Sequence, residues 1–254
     1  MTKRLRVALV FALSLVGCQG QPESNAPLLI HCAASLSRAM EEATREFAER
    51  SGSPRAQINS ASSLLLWKQI EADAPGDVFV AAAPVHMDLL ADAGRIDTGT
   101  RIELLRNRMA LLVSVKSGIK SLDELASPDV WVALASEGVP AGDYARELLG
   151  AAGLWEAVSS SILSFPHEPA VFQAIQRQLV PAAFVYTSSL HGLDDELLRE
   201  IGIAADLQPA INYPAAVLKK SRQPRQARRF LDFLRSSDGQ AIFERHGFIP
   251  LIRT

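Results

Sequence analysis

"IHCAASLSRAM", residues 30–40, decides how this chain is read. An apolar run ends in small residues, Ser35 and Ser37 follow, and apolar positions then recur with helical spacing at Leu36, Met40, Ala43 and Phe47 before Gly52. That pattern is a strand, a short turn and a helix. A helix start leaves backbone N–H groups unpaired and carries partial positive charge. Small residues at such a start suit a close helix-to-sheet contact or a seat for an anion.

Two further strand-to-helix junctions share the design: "SASSL" (60–64) and "VPAGDYA" (139–145). Each offers small side chains and helix-start N–H groups without Lys or Arg. A lone serine at such a place is most simply an N-cap. Ser35 lacks the acid that would complete a capping box, because Arg38 stands there.

Outward from these junctions, short apolar runs alternate with amphipathic segments, which reads as α/β. Strands are expected at Leu28–Ala33, near Gln57, at Gly76–Ala83, Arg108–Val115 and Val130–Ala135, and at Ala182–Leu190 running into a loop. Helices are expected from Ser63, from Pro84 to Gly94, after Pro140 to Gly153, over "PAVFQAIQRQ", and over 223–235 and 238–245. "INYPAAVLKK" reads as a strand, but Pro214 inside it argues against full pairing in a sheet centre and suits a chain crossing between lobes.

The N-terminus is an address. Lys3, Arg4 and Arg6 precede an apolar run over 7–16 that is too short for an ordinary membrane span, and "LVGC" ends it. "LVGC" resembles the bacterial lipobox, which implies residues 1–18 as a lipoprotein signal peptide and Cys18 as the lipidated residue. An incidental Cys after an ordinary signal is the alternative. Residues 19–27 are polar and Pro-bearing, as a tether would be. With Cys18 so used, only Cys32 remains, which excludes a disulfide framework and reads as a small core residue.

Of 26 Lys and Arg, the leader holds three, leaving 23 against 28 Asp and Glu, a net charge of −5. No basic stripe is present and no nucleic-acid partner is expected. Five histidines (31, 86, 167, 191, 246) show no metal-ligand spacing, so no metal held by side chains and no cofactor are expected. The chain has no G-x-S-x-G, no Walker loop and no H-E-x-x-H. A non-enzyme is expected; a histidine poised at Ser63 would be the sign of the contrary. Trp67, Trp131 and Trp155 read as packing residues.

The stretches "AASLSRAM" (33–40), "SASSLLLWKQIEADAPGDVFVAAA" (60–83), "RIDTGTRIELLRN" (95–107), "GVPAGDYARELL" (138–149), "FVYTSSL" (184–190), "NYPAAVLKKS" (212–221) and "FLDFLRSSDGQAIFERHGF" (230–248) resemble, in order, the substrate-binding proteins of molybdate ABC transporters. The resemblance implies an α/β, two-lobed type II periplasmic-binding fold, with a two-strand hinge and the ligand in the cleft. Lobe 1 would comprise 28–108 plus 215–254, and lobe 2 109–214. It implies that Ser35 and Ser63 each donate a hydroxyl and a nearby N–H to a tetrahedral oxyanion, Ala141 and Glu168 a backbone N–H, and Tyr186 its phenol. On its periodicity alone, Tyr186 reads equally as core. Molybdate or tungstate is the implied ligand and an ABC permease the implied partner, for a monomer tethered to the outside of a bacterial membrane.

Four positions depart from that family. "HEPAV" (167–171) stands where Asn-Val or Asp-Val is usual, and a Glu168 carboxylate beside an anion would cost affinity unless turned to solvent. Asp143 raises the same question, although an acid in a helix's first turn is favourable on its own account. Leu64 follows Ser63 where a small residue is common, and Arg106 replaces a Gly. These keep open sulfate, phosphate or another oxyanion, and a surface interaction lipoprotein without transport, which buried acids at 143 and 168 would favour.

Overall fold

The computed structural model describes residues 26–193 and 196–251; the signal-peptide and Cys18 expectations lie outside them. The chain opens with β1 (Leu29–Ala33), α1 (Ser37–Ser51), β2 (Gln57–Ala61), α2 (Ser63–Glu71), β3 (Val78–Val80), α3 (Pro84–Asp92) and β4 (Ile102–Asn107). A second group follows: β5 (Met109–Ser114), β6 (Val132–Ala135), α4 (Pro140–Ala151), the short α5 (Trp155–Val158), β7 (Ile162–Phe165), α6 (Glu168–Gln176), β8 (Ala182–Tyr186) and β9 (Leu198–Ile201). It ends with β10 (Ile211–Val217), α7 (Pro224–Arg235), α8 (Ser237–Arg245) and β11 (Ile249–Pro250).

Two mixed sheets result. The first runs β11-β4-β10-β3-β1-β2 and the second β7-β6-β8-β5-β9. In the first, β1 lies parallel to β2 and β3; in the second, β6 lies parallel to β7 and β8. Helices joining parallel strands must cover the faces, which is why β1, β3 and β6 are apolar nearly throughout. All six residues of β5 are buried. On α1, Ala39, Met40, Ala43 and Phe47 form the buried stripe, and Phe47 meets Phe230 of α7 edge-on at 5.2 Å. Gly52 closes α1 at φ +67°, the left-handed region a glycine enters without penalty.

The chain passes between the sheets twice. The first crossing is Arg108, between β4 and β5; the second is the segment 202–210, between β9 and β10. They are braced together, because Met109 N–H donates to Gln208 Oε1 and Gln208 Nε2 donates to Met109 O, both at 2.9 Å.

β10 corrects the reading of Pro214. It is a central strand, paired antiparallel with β4 over residues 211–215 and with β3 over residues 215–217, so a lobe boundary at 214/215 would cut through it. The ladder tolerates the proline because its register with β4 shifts between Tyr213 and Pro214. Pro214 still contributes an acceptor, taking the Ala81 N–H at 3.0 Å. Trp131 is also corrected: it is 47% exposed on the surface, while Trp155 lies under the Arg146 guanidinium at 5.9 Å.

Candidate functional site

Ligands of open α/β sheets bind beyond the carboxyl ends of the parallel strands. Here those ends converge from both lobes on one small cavity. Ala33 ends β1 and Ala34 and Ser35 follow it, Ser62 and Ser63 follow β2, and Ala82 follows β3; Val139, Pro140 and Ala141 follow β6, His167 and Glu168 follow β7, and Tyr186 ends β8. All five residues expected to touch the ligand, Ser35, Ser63, Ala141, Glu168 and Tyr186, line it together. Its volume is about 20 Å³, room for the centre of one small group. A larger cavity of about 440 Å³ runs alongside and shares Ala34, Ser35, His167 and Glu168 with it.

On the first-lobe side the serines divide the work. Ser62 is the N-cap of α2 and accepts the Leu65 N–H at 3.3 Å, which frees Ser63 from capping. Ser63 is buried, and its oxygen accepts the Ala82 N–H at 2.9 Å. With the acceptor side engaged, its proton is left to donate. Ser35 sits in a single 3-10 turn before α1, and Ser37 closes that turn by donating to Ala34 O at 2.9 Å.

Behind Ser35 lies a network that the sequence reading missed. Asn107 Nδ2 donates to Ser188 Oγ at 2.9 Å and to the Tyr213 hydroxyl at 3.3 Å. Tyr213 thereby keeps its own proton for Ser35 Oγ, 3.3 Å away, and the Ser35 hydroxyl is again biased to donate. Asn107 Oδ1 meanwhile accepts from Arg108 N–H and Thr187 Oγ1, at 2.9 and 3.0 Å. Asn107 thus joins the first crossing, the turn after β8 and the cavity wall. A polar residue ending a strand next to the apolar run of β5 was the available signal.

On the second-lobe side, α4 begins with Pro140, which needs no N–H partner, so Ala141 is the first residue to offer one. The helix start is pressed against the end of β6: a Cβ on Gly142 would lie 2.1 Å from Ala135 O. Asp143 does not line the cavity; its carboxylate accepts the Gly138 N–H at 2.9 Å and closes the turn before the helix. Burial raises its carboxyl above the ordinary value.

Glu168 opens α6, so its N–H also lacks an intrahelical partner. Its side chain does not turn to solvent, for the residue is only 3% exposed. Oε1 accepts Ser189 Oγ at 2.7 Å and the Tyr186 N–H at 3.2 Å, while Oε2 has no partner. Burial pushes the carboxyl up to about 7 against those two hydrogen bonds. The Tyr186 hydroxyl is likewise buried without a partner, and burial holds its phenol far above the usual range. Tyr186 belongs both to the core and to the residues that line the cavity.

The remaining candidates are structural. His31 Nε2 donates to Pro75 O while Nδ1 accepts from Asn59, each at 2.9 Å, and burial lowers its pKa. His167 Nδ1 accepts the Ala170 N–H and caps α6. Burial pushes the Cys32 thiol up to about 12, as for an inert core residue. No group of three or more His, Cys, Asp or Glu could hold a metal among the described residues.

Over residues 28–249 the sequence matches the family described as bacterial extracellular solute-binding protein. The chain belongs to that family. Among similar members, the molybdate-binding protein ModA of Escherichia coli (strain K12) is 29% identical over 250 residues, covering 93% of this chain and 94% of that protein. The molybdate-binding protein ModA of Haemophilus influenzae is 25% identical over 244 residues, covering 93% and 95%. The periplasmic molybdate-binding protein of Azotobacter vinelandii superposes with a TM-score of 0.78 over 89% of this chain and all of that one; at 19% identity the likeness is one of fold. The two sheets form the type II periplasmic-binding architecture that the sequence led us to expect. Among the described residues, no helix of this solute-binding protein is long and apolar enough to cross a membrane.

Proposed function

We propose that this chain is an extracytoplasmic lipoprotein, anchored through Cys18, that binds molybdate or tungstate between its lobes as a monomer and delivers it to an ABC permease. The observation that carries the reading is the convergence of neutral donors from both lobes, the Ser35, Ser63 and Tyr186 hydroxyls and the helix-start N–H of Ala141, on a cavity sized for one small group. Fixed donors in a dry site make strong hydrogen bonds to charged oxygens, and no cationic side chain is required. Similar proteins named for molybdate binding support the choice of ligand.

Binding is favoured over catalysis. Ser63 Oγ is held by a backbone N–H, and the histidine lining the cavity, His167, has its Nδ1 engaged by its own helix. Glu168 is the observation that favours a second ligand: an unpaired acceptor oxygen on a residue of the cavity wall suits an oxyanion bearing its own proton, such as hydrogen phosphate. The burial of this acid is against the cavity, which ties it to a ligand and not to a surface interaction role.

Calorimetric titration of the domain from residue 26 with molybdate, tungstate, sulfate and phosphate decides among these. Tight binding of the first two, weakened at least about tenfold by Ser63→Ala through loss of one hydrogen bond to a charged ligand, is the expected result. Binding of phosphate alone would replace the ligand, and heat from none of the four would remove the function.

A further inference from the structure

The Glu168 carboxyl is the one acidic group in the cavity wall, and it is half satisfied. Oε1 is held by Tyr186 N–H and Ser189 Oγ, whereas Oε2 is buried and unpaired, on a residue that lines the cavity together with Ser35, Ser63 and Tyr186. An oxyanion seated against those donors would lie beside this carboxyl. Two negative oxygens in contact, shielded from water, repel; one proton between them turns the same contact into a charge-assisted hydrogen bond.

We propose, taking the oxyanion-binding reading as given, that Glu168 makes this site bind its ligand together with one proton, held between Glu168 Oε2 and a ligand oxygen. With a fully deprotonated oxyanion such as molybdate, the proton comes from solvent and resides on Glu168. With hydrogen phosphate, the ligand brings it and Glu168 accepts. The neighbouring larger cavity is lined by Glu168 together with His167 and His191.

The surroundings assign the proton to this residue. On its own helix, only His167 at the cap is titratable nearby, and its Nδ1 is occupied by Ala170 N–H. The strands packed against α6, namely β5, β6 and β7, bring no titratable side chain, and β8 brings Tyr186. Tyr213 and Tyr144 face the same region, and burial raises both phenols far above their ordinary range. Arg38, His191 and His246 line the larger cavity, with His246 paired to Glu42 at 2.7 Å. Among the described residues none of these bases is bonded to Glu168, whose carboxyl sits near 7 through burial.

The test is calorimetry with molybdate from pH 7 to 9 in buffers of different ionisation enthalpy, on the wild type and Glu168→Gln. The wild type is expected to take up close to one proton at pH 8.5 and to lose affinity about tenfold per pH unit above 7. Glu168→Gln keeps an oxygen for Tyr186 N–H and Ser189 and puts an amide donor where Oε2 was. It is expected to take up no proton, to bind with flat pH dependence, and to surpass the wild type at pH 9. Molybdate binding by the wild type without proton uptake, or an unchanged pH slope in the variant, overturns the inference and leaves the oxyanion function standing. Phosphate binding without molybdate binding, with no net uptake and with weakening by Glu168→Gln, removes the molybdate assignment and sustains the shared proton. Heat from no oxyanion overturns both.

Discussion

The two walls of the cavity are built from the same local motif, a strand leading into a helix start, yet they are finished differently. On the first-lobe wall the oxygens of Ser35 and Ser63 are already engaged, by Tyr213 and by Ala82 N–H, and their protons are left over. On the second-lobe wall the Tyr186 hydroxyl and Glu168 Oε2 are buried without partners. The first wall is organised before any ligand arrives. The second holds unmet demand that a ligand's oxygens answer, at a cost to the free protein of the kind that an unpaired buried polar group carries. Substitutions on the first wall should therefore weaken folding and binding together, and those at the unpaired atoms should separate the two.

The largest effect tests what aims the second wall. In Gly142→Ala the new methyl would stand 2.1 Å from Ala135 O and 2.6 Å from Ser136 O, both backbone atoms that cannot swing away. The start of α4 must shift, taking Ala141 N–H with it. A stability loss of about 3 kcal/mol, the upper end for overpacking, is expected in urea unfolding, with molybdate affinity falling too. Unfolding and binding both at wild-type levels would show that the fit between α4 and β6 does not position the site.

The next effect is a pH dependence of the free protein. The Glu168 carboxyl is raised from 4.5 to about 7 by burial, so the folded state holds a proton that the unfolded chain releases. Its contribution is intact below about 4.5, declines as pH rises, and is gone above about 7, a difference of about 3 kcal/mol. Asp143 is shifted in the same direction, so the readout is the wild type minus Glu168→Gln in urea unfolding at pH 5 and pH 8. The variant should lose this share of the decline. Parallel curves would mean that the second wall carries no such strain.

How much of this was legible follows the same division. The helix starts at Ser63, Pro84 and Pro140 were readable because capping and N1 proline are local chemistry, and the three junctions at residues 33–37, 60–64 and 139–145, alike in design, pointed to the cavity. The short β7 and β9 went unread: strands of four residues at the two edges of a sheet carry little periodicity. Pro214 misled because its tolerance depends on a register shift against β4, more than 100 residues away in sequence. The Asn107, Tyr213 and Ser188 network joins residues 81 and 106 positions apart, and no local pattern announces such pairings. Glu168 was located correctly on the helix start, but whether its carboxyl faced solvent or the cavity was a question of packing.

Tyr186→Phe separates folding from binding most cleanly. Removing a buried hydroxyl that has no partner should leave the free protein as stable as the wild type or up to about 1 kcal/mol more so, since the group's desolvation is no longer uncompensated. Molybdate affinity should nevertheless drop about tenfold, the worth of one hydrogen bond to a charged oxygen. Thermal unfolding and calorimetry on the same sample check both signs. A destabilised variant would mean that the hydroxyl is satisfied by the protein itself, and the contrast between the walls would lose its clearest member.

Tyr213→Phe probes the first wall from behind and should be the mildest. The lost hydroxyl leaves Asn107 Nδ2 with Ser188 alone and Ser35 Oγ without its donor, both through contacts of 3.3 Å, at the long end for hydrogen bonds. The ring itself, which packs edge-on to Phe248 at 5.6 Å and near Tyr186 at 6.1 Å, is retained. A stability loss of about 1 kcal/mol is expected, with affinity reduced only severalfold, because Ser35 keeps its proton but loses the bond that orients it. Both quantities should fall together, as they should for any residue that prepares the first wall in advance. Weakened binding with undiminished stability would instead place Ser35 in the same class as Tyr186, as a group that gains its partner only from the ligand.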